Sequence, residues 1–133
     1  MSSRLVMFAV TVLDYNEAIR FYVDTLGFRL LEDTDRGNGK RWVRVAPPCS
    51  NPDTCILLAL AVGDRQRASV GNQTGGRVFI FIETDNFDAD YQRMTRAGVR
   101  FTDGPRDEAY GRVGVFEDLY GNRFDLIQPP RRI

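Results

Sequence analysis

Apolar residues along the chain follow two alternating patterns, which predict strands interleaved with helices. The segment "RLVMFAVTV" near the N-terminus is apolar and β-branched, as strands are. The next segment, "DYNEAIRFYVDTLG", places its apolar residues at helical spacing instead. Asp14 is a good N-cap, Glu17 three residues later resembles a capping box, and Gly27 can end the helix. A strand followed by a capped helix is therefore predicted at the start of the chain.

Three further apolar segments complete the first half of the chain. They are "FRLLED", "RWVRVA" and "TCILLALAV", separated by the turn "DRGNGK" and the loop "PPCSNPD", and each predicts a strand. The last of them is apolar throughout, which predicts burial on both of its faces. The polar, glycine-rich segment "GDRQRASVGNQTGG" predicts an irregular connector to the second half.

The same order of elements then recurs. "RVFIFIET" predicts a strand, "DNFDADYQRMTRAG" a helix capped by Asp85, "VRFTDG" a strand, and "YGRVGVFED" with "NRFDLIQ" a closing hairpin around "LYG". Asp14 and Asp85 lie 71 positions apart, and the same offset aligns the helix stops Gly27 and Gly98. We therefore predict one α+β domain over residues 1–133, built from two βαβββ modules at 4–62 and 77–128.

The composition argues against several classes of function. Hydrophobic residues make up 43% of the 133 and charged residues 27%, as in soluble globular domains. Lys+Arg and Asp+Glu both number 18, so the basic excess that a nucleic-acid surface needs is missing. No apolar run approaches the ~20 residues that span a bilayer, and the N-terminus turns polar too early for a signal peptide. We expect a cytoplasmic protein with Cys49 and Cys55 as free thiols, a disulfide between them being the alternative.

Two segments resemble the vicinal oxygen chelate superfamily, which includes glyoxalase I, bleomycin-resistance proteins, fosfomycin-resistance proteins and extradiol dioxygenases. "VLDYNEAIRFYVDTLGF" resembles the family's strand-exit aspartate and its helix with a Leu-Gly-Phe ending. "YGRVGVFEDLYGNRFDLIQP" resembles its closing hairpin, in which Asp-x-x-Gly-Asn joins two strands. The resemblance covers nearly the whole chain. It implies the paired βαβββ fold, with a concave cleft between the modules.

The metal ligands of the family are largely missing. Metal-dependent relatives place a ligand seven residues before each helix-capping aspartate and a Glu on each closing strand, and the first of these positions hold Met7 and Val78 here. The closing strand of the first module has no carboxylate, and that of the second offers only Asp125. One carboxylate cannot hold a hard divalent cation at useful affinity. We therefore expect no metal and no other cofactor.

Strand alternation predicts which side chains accompany Asp125. Arg123 and Ile127 share its face, which the resemblance makes the inner one. On the partner strand, the residues predicted to lie on the same face are Arg112, Gly114 and Phe116, with Gly114 leaving room for a ligand. On the first strand of this module, Val78, Ile80 and Ile82 are predicted to face the cleft, and Phe79 and Phe81 the second helix.

The predicted ligand-binding residues are Trp42, Arg44, Tyr110, Arg112, Phe116 and Asp125. Asp125 could pair with Arg112 or Arg44 as a buried ion pair, contact a ligand, or act as a catalytic group. If the pair is fully buried, Asp125→Ala should lower stability by roughly 3–5 kcal/mol. Trp42 is either core or a stacking platform, and Tyr110 either a rim contact or turn packing.

These residues predict a binding module that holds a small organic molecule in the cleft, one that carries an anionic or carbonyl oxygen. The alternative is an enzyme of the glyoxalase or isomerase type, acting through Asp125 with weak or no metal. An interaction protein without a ligand is a third possibility, since a fold alone does not give a function. The family resemblance and the many aromatic residues also lead us to expect a homodimer.

Overall fold

The computed structural model describes residues 2–50 and 54–131 and divides the chain into two compact units. The first unit runs to Val70, and the second begins at Gly71. Each contains a four-stranded mixed sheet whose first strand is followed by a helix. The predicted α+β fold with paired βαβββ modules is therefore confirmed. The end of the predicted loop "PPCSNPD", at 51–53, lies outside the described residues.

The sheet of the first unit has the strand order β1-β4-β3-β2. Strand β1 pairs in parallel with β4, and the other neighbours are antiparallel. Because β1 and β4 run the same way, the helix and hairpin between them must carry the chain back across the sheet. The strands are β1 (Met7–Val12), β2 (Arg29–Gly37), β3 (Lys40–Ala46) and β4 (Cys55–Leu60).

The first helix begins as predicted. Its α-helical part, α1, spans Tyr15–Ile19 and continues as a π-helical segment over Arg20–Thr25. The Asp14 carboxylate accepts a hydrogen bond of 2.8 Å from the Glu17 backbone N–H, which confirms the predicted N-cap. Gly27, with φ of 80°, ends the helix in the left-handed conformation that glycine adopts most readily.

The polar connector contains a helix that the sequence did not predict. Helix α2 spans Gly63–Ser69. The Ser69 hydroxyl lies 3.0 Å from the Thr11 hydroxyl, so the helix is tied to β1. The polar composition of "GDRQRAS" hid this helix, because none of its residues is buried and no apolar stripe marks it. No helix within the described part of the chain is long and apolar enough to cross a membrane.

The second unit repeats the order of the first. Its sheet runs β5-β8-β7-β6, again with one parallel pair, β5 with β8. The like strand orders of the two units follow the internal repeat in the sequence. The elements are β5 (Val78–Glu83), α3 (Phe87–Arg96), β6 (Arg100–Glu108), β7 (Gly111–Glu117) and β8 (Arg123–Gln128).

The N-cap of α3 is Asn86, and the prediction of Asp85 is wrong by one residue. The Asn86 side chain accepts a hydrogen bond of 3.2 Å from the Ala89 backbone N–H. The Thr84 hydroxyl accepts one of 3.1 Å from the Asn86 backbone N–H and so fixes the approach to the helix. Asn and Asp are about equally good caps, so the repeat offset could not separate the two adjacent residues.

Each sheet packs one face against its own helix. In the first unit, Val10, Val12 and Tyr22 are fully buried whereas Ala9 is exposed, as the alternation of side chains along a strand requires. In the second unit, Phe116 and Phe124 stack with ring centroids 5.0 Å apart, and Phe101 lies 5.5 Å from Phe116. These aromatic rings form part of the core beneath α3, together with Ile80, Phe87 and Leu126.

Gly114 belongs to this core and not to a ligand site. A Cβ at this position would lie 3.0 Å from Cζ of Phe87 and 3.2 Å from a ring carbon of Phe101. Those distances are tighter than ordinary van der Waals contact, so the missing side chain admits two aromatic rings. The prediction that Gly114 leaves room for a ligand is wrong.

Candidate ligand-binding site

Asp125 lies on the face of the second sheet that points away from α3. It pairs with Val115 on β7, while its chain neighbour Phe124 pairs with Phe116 in the aromatic core. Because successive side chains of a strand point to opposite faces, Asp125 and Val115 share the face opposite that core. Arg123 and Ile127 share it too, as predicted. We call this the Asp125 face; its members are Phe81, Asp103, Arg106, Val115, Arg123, Asp125 and Ile127.

Phe81 stands directly beside Asp125, which corrects the prediction for β5. The register pairs Phe81 with Asp125 and Ile80 with Phe124. Ile80 is 8% exposed and Phe81 is 65% exposed. The predicted alternation is reversed because the register shifts between Val78 and Ile80, and one extra residue on a strand moves all later side chains to the other face.

Strand β6 brings two charged residues to the Asp125 face that the sequence analysis missed. Asp103 pairs with Val115 and Arg106 with Val113. The predicted strand ended near Gly104, because "DGPRD" has the composition of a turn. In the structure the strand continues to Glu108 through two register shifts. Pro105 is tolerated in β6 because β6 is an edge strand. The tolerance of edge strands for proline is the one argument that could have extended the predicted strand past Gly104.

The carboxylate of Asp125 is incompletely satisfied. Its Oδ1 atom is buried and accepts no hydrogen bond from any group within residues 2–50 and 54–131. Burial raises the pKa of Asp125 above its ordinary value of 3.8; the positive charge of Arg106 opposes the shift, and the negative charge of Asp103 adds to it. A buried carboxylate oxygen without a donor is costly, so this atom marks a place where a donor would be favourable.

Arg106 is held by acidic partners of its own strand. Its Nε donates to Glu108 at 2.8 Å, and its Nη1 forms a close ion pair with Asp103. Hydrogen bonds to Glu108, Tyr110 and Asp103 raise the pKa of Arg106 further, so its charge is permanent. The guanidinium therefore affects Asp125 through its charge, while its hydrogen bonds go to Glu108, Asp103 and Tyr110.

Neither of the arginines predicted as partners hydrogen-bonds to Asp125. Arg112 donates to Asp88 and Asp107, each at 3.0 Å, and lies 5.5 Å above the Phe87 ring on the α3 side of the sheet. Arg44 donates to Glu32 at 2.8 Å. The predicted ion pair between Asp125 and Arg112 or Arg44 is therefore wrong.

Phe116 is also on the wrong face for the predicted role. It is 1% exposed and stacks on Phe124 beneath α3. Arg112 and Phe116 were placed beside Asp125 by counting alternation along β7 alone. The register shows that Val113 and Val115 face Asp125's side instead. A hairpin whose turn is one residue longer or shorter exchanges the two faces, and the sequence does not fix that length.

Trp42 and Arg44 lie on the corresponding face of the first sheet. They pair with Thr34 and Glu32 on β2, and the buried Val43 between them faces α1. The Arg36 guanidinium lies 5.6 Å from the centroid of the Trp42 ring. We call this the Trp42 face, defined by Trp42, Arg44, Glu32, Leu57 and Cys55. Its polar groups bond to one another: Arg44 Nε donates to Glu32, and Arg44 Nη1 donates to the Cys55 sulfur at 3.7 Å.

Tyr110, the two cysteines and the Asp-x-x-Gly-Asn motif lie outside the two faces defined by Asp125 and Trp42, apart from Cys55. Tyr110 sits between β6 and β7 and is 55% exposed. Cys49 is an exposed free thiol and Cys55 a buried one. The Asp-x-x-Gly-Asn motif shapes the turn between β7 and β8. There Asp118 accepts hydrogen bonds from the Asn122 backbone N–H at 2.9 Å and from its side-chain amide at 2.8 Å.

The residues around Asp125 do not fit a divalent metal ion. Its neighbours on the adjacent strands, Phe81 and Val115, have no side-chain atoms that can coordinate a metal ion. No group of three or more Cys, Asp or Glu side chains in the described ranges is arranged to hold a cation. Hard cations need several oxygen donors at once.

The chain belongs to the Glyoxalase/Bleomycin resistance protein/Dioxygenase superfamily, whose family model matches residues 4–126. It is 50% identical over 129 residues to an uncharacterized protein of Shewanella frigidimarina, covering 96% of this chain and 95% of that one. Among solved structures, it resembles TnmS3, an antibiotic binding protein from Streptomyces sp. CB03234, with 36% identity, a TM-score of 0.80 and coverage of 98% and 99%. UcmS2 is also similar, at 29% identity, a TM-score of 0.84 and coverage of 96% and 98%.

Asp125→Asn is expected to raise the melting temperature at neutral pH by roughly 3 °C, which corresponds to about 1 kcal/mol. An acid whose pKa is raised by folding costs nothing below its unfolded pKa. Its penalty develops as the pH rises from the unfolded pKa to the raised folded pKa and is constant above that. The gain from the substitution should therefore shrink as the pH falls toward 4, which thermal unfolding across pH can follow.

Asp85→Asn is the matched control, since it removes one exposed carboxylate of the same unit. It should leave the melting temperature unchanged. A lower melting temperature for Asp125→Asn than for the parent at neutral pH would contradict the unpaired state of this carboxylate.

Proposed function

We propose that this protein is a binding module that holds a small, partly apolar organic molecule on the Asp125 face. The observation that carries the proposal is the buried Asp125 oxygen without a donor, beside the exposed ring of Phe81. An apolar surface with a few polar groups is the usual composition of a ligand site. Phe81 and Ile127 provide the accessible apolar surface, since Val115 is only 9% exposed, and Asp125 provides the polar group.

The similarity to TnmS3 supports the proposal. That protein is an antibiotic binding protein and is similar to this chain over nearly the full length of both. An antibiotic is a small organic molecule of the kind that an aromatic side chain and a carboxylate can hold together. We extend the proposal to the Trp42 face, whose indole offers a second stacking surface, and to the rim residue Tyr110.

A thermal-shift screen of small aromatic and amphiphilic compounds tests the function. A ligand at one hundred times its Kd stabilises the folded state by about 2.7 kcal/mol, which a melting curve resolves easily. We expect several such compounds to raise the melting temperature of the parent. Phe81→Ala should reduce the shift strongly because it removes the ring beside Asp125.

Control variants separate a binding effect from a folding effect. Phe101→Ala changes the same residue type on the α3 side of the same sheet, where Phe101 pairs with Phe116. It should keep the ligand-induced shift. A screen in which Phe81→Ala and the parent respond equally to every compound would contradict binding at this face.

A second candidate function rests on the pKa of Asp125. A carboxylate with a raised pKa suits a general base, and this favours an isomerase-type reaction at the same residue. The hemithioacetal of methylglyoxal and glutathione is the simplest substrate to assay. Turnover that disappears in Asp125→Asn would support this candidate, and turnover at the uncatalysed rate would remove it.

We also propose that the protein forms a homodimer. Leu5, Leu30 and Val62 are large apolar side chains that are 71%, 43% and 69% exposed, and such residues are often covered by a partner. Light scattering at micromolar concentration should give twice the 15.1 kDa of the chain. The monomer mass would contradict the proposal.

A further inference from the structure

We propose that the ligand of the Asp125 face carries a protonated amine on a flat apolar body, and that the amine donates a hydrogen bond to Asp125. This inference rests on the proposed function and names the class of its ligand. It replaces the sequence-based expectation of an anionic or carbonyl oxygen, because that expectation required an arginine bound to Asp125. In the structure, Arg44 and Arg112 form hydrogen bonds with other carboxylates.

Arg106 and Arg112 have other hydrogen-bond partners, and Arg123, which shares the face of Asp125, does not donate to the Asp125 Oδ1 atom. Arg106 donates to Glu108 and pairs with Asp103 on the edge strand. Arg112 is on the opposite face of the sheet, bound to Asp88 and Asp107. A donor from a ligand is thus the direct way to satisfy the Asp125 oxygen, and a charged donor gives a stronger hydrogen bond than a neutral one.

The surroundings of Asp125 favour a cation over an anion. Across the sheet on the same side, the register places Asp103 opposite Val115 and Glu83 opposite Ile127. An anionic ligand would bring a like charge against these carboxylates and against Asp125 itself, which disfavours binding. A cation is attracted by all three. Arg106 and Arg123 on the same face oppose this attraction, but Arg106 is neutralised by its ion pairs with Asp103 and Glu108, so carboxylates outnumber arginines around Asp125.

Phe81 indicates the shape of the rest of the ligand. Its ring is 65% exposed and stands beside Asp125 across the β5–β8 pair. An exposed aromatic ring offers its face to a flat apolar group, and its π-electrons also attract a cation within about 6 Å. One molecule with an amine next to an aromatic ring can therefore satisfy Asp125 and cover Phe81 together.

Three matched probes test the charge preference by calorimetric titration at neutral pH and low salt. They are naphthylmethylamine, naphthylmethanol and naphthoic acid, which share one ring system and carry a cation, a neutral donor and an anion. We expect the amine to bind the parent about ten-fold more tightly than the alcohol, and the acid to bind most weakly. Asp125→Asn should bring the amine close to the affinity of the alcohol.

Asp85→Asn is again the charge-matched control and should keep the preference for the amine. Equal affinities of amine and alcohol, or a preference for the amine that survives in Asp125→Asn, would overturn the inference while leaving the proposed binding function in place. Tightest binding of the acid would overturn it as well. Failure of all three probes to bind would count against both the inference and the function.

Discussion

Phe116→Ala is expected to lower the free energy of unfolding by about 3–5 kcal/mol. Phe116 is 1% exposed and stands between two other rings, with centroids 5.0 Å from Phe124 and 5.5 Å from Phe101. The substitution leaves a cavity that these aromatic rings cannot fill by small movements. Urea unfolding monitored by circular dichroism measures the loss.

Phe81→Ala is the informative control, because it makes the same substitution on the opposite face of the same sheet. Phe81 is largely exposed, so its removal should change the free energy of unfolding by less than about 0.5 kcal/mol. The effects on ligand binding should be the opposite of those on stability. Phe81→Ala should lose ligand binding, and folded Phe116→Ala should keep it. Loss of ligand from well-folded Phe116→Ala would restore the sequence-based prediction that Phe116 walls the site.

Asp118→Ala is expected to destabilise the protein by about 3 kcal/mol. The carboxylate is 5% exposed and accepts hydrogen bonds from the backbone N–H groups of Tyr120 and Asn122 and from the Asn122 amide. Its removal leaves buried donors without an acceptor in the turn that joins β7 to β8. Chemical denaturation of the parent and the variant gives the difference directly.

Asp118→Asn separates hydrogen bonding from charge. The amide retains one acceptor oxygen, so the loss should be smaller than for alanine. Equal losses in both variants would show that the charge, and not the number of acceptors, stabilises the turn. A loss below about 0.5 kcal/mol for Asp118→Ala would contradict the role of the motif as a turn-shaping element.

The sequence predicted the modules well because their signals are local. The Asp14 cap, the helix stops at Gly27 and Gly98, and the repeated strand order all follow from backbone preferences within a few residues. The connector helix α2 escaped prediction because it buries none of its residues. Periodicity cannot reveal an element that has no apolar face.

The candidate site was harder to predict because it depends on register. Asp125 was predicted together with Arg123 and Ile127 on one face of β8, as the structure has them, but its predicted neighbours on β5 and β7 were wrong. One extra residue near Phe79 reverses the faces of β5, and two shifts in β6 bring Arg106 opposite Val113. Such shifts leave no signal in the alternation of apolar and polar residues, since each strand still looks regular on its own.

Binding at the Asp125 face is tested most directly by methyl NMR with naphthylmethylamine as the probe. Val115 and Ile127 lie on this face, whereas Ile80, which pairs with Phe124, and Leu126, which pairs with Gly114, lie on the α3 side of the same sheet. We expect intermolecular contacts between the naphthyl protons and the methyl groups of Val115 and Ile127. Contacts to Ile80 and Leu126 instead, or no contacts at any of the four, would contradict a ligand site at Asp125.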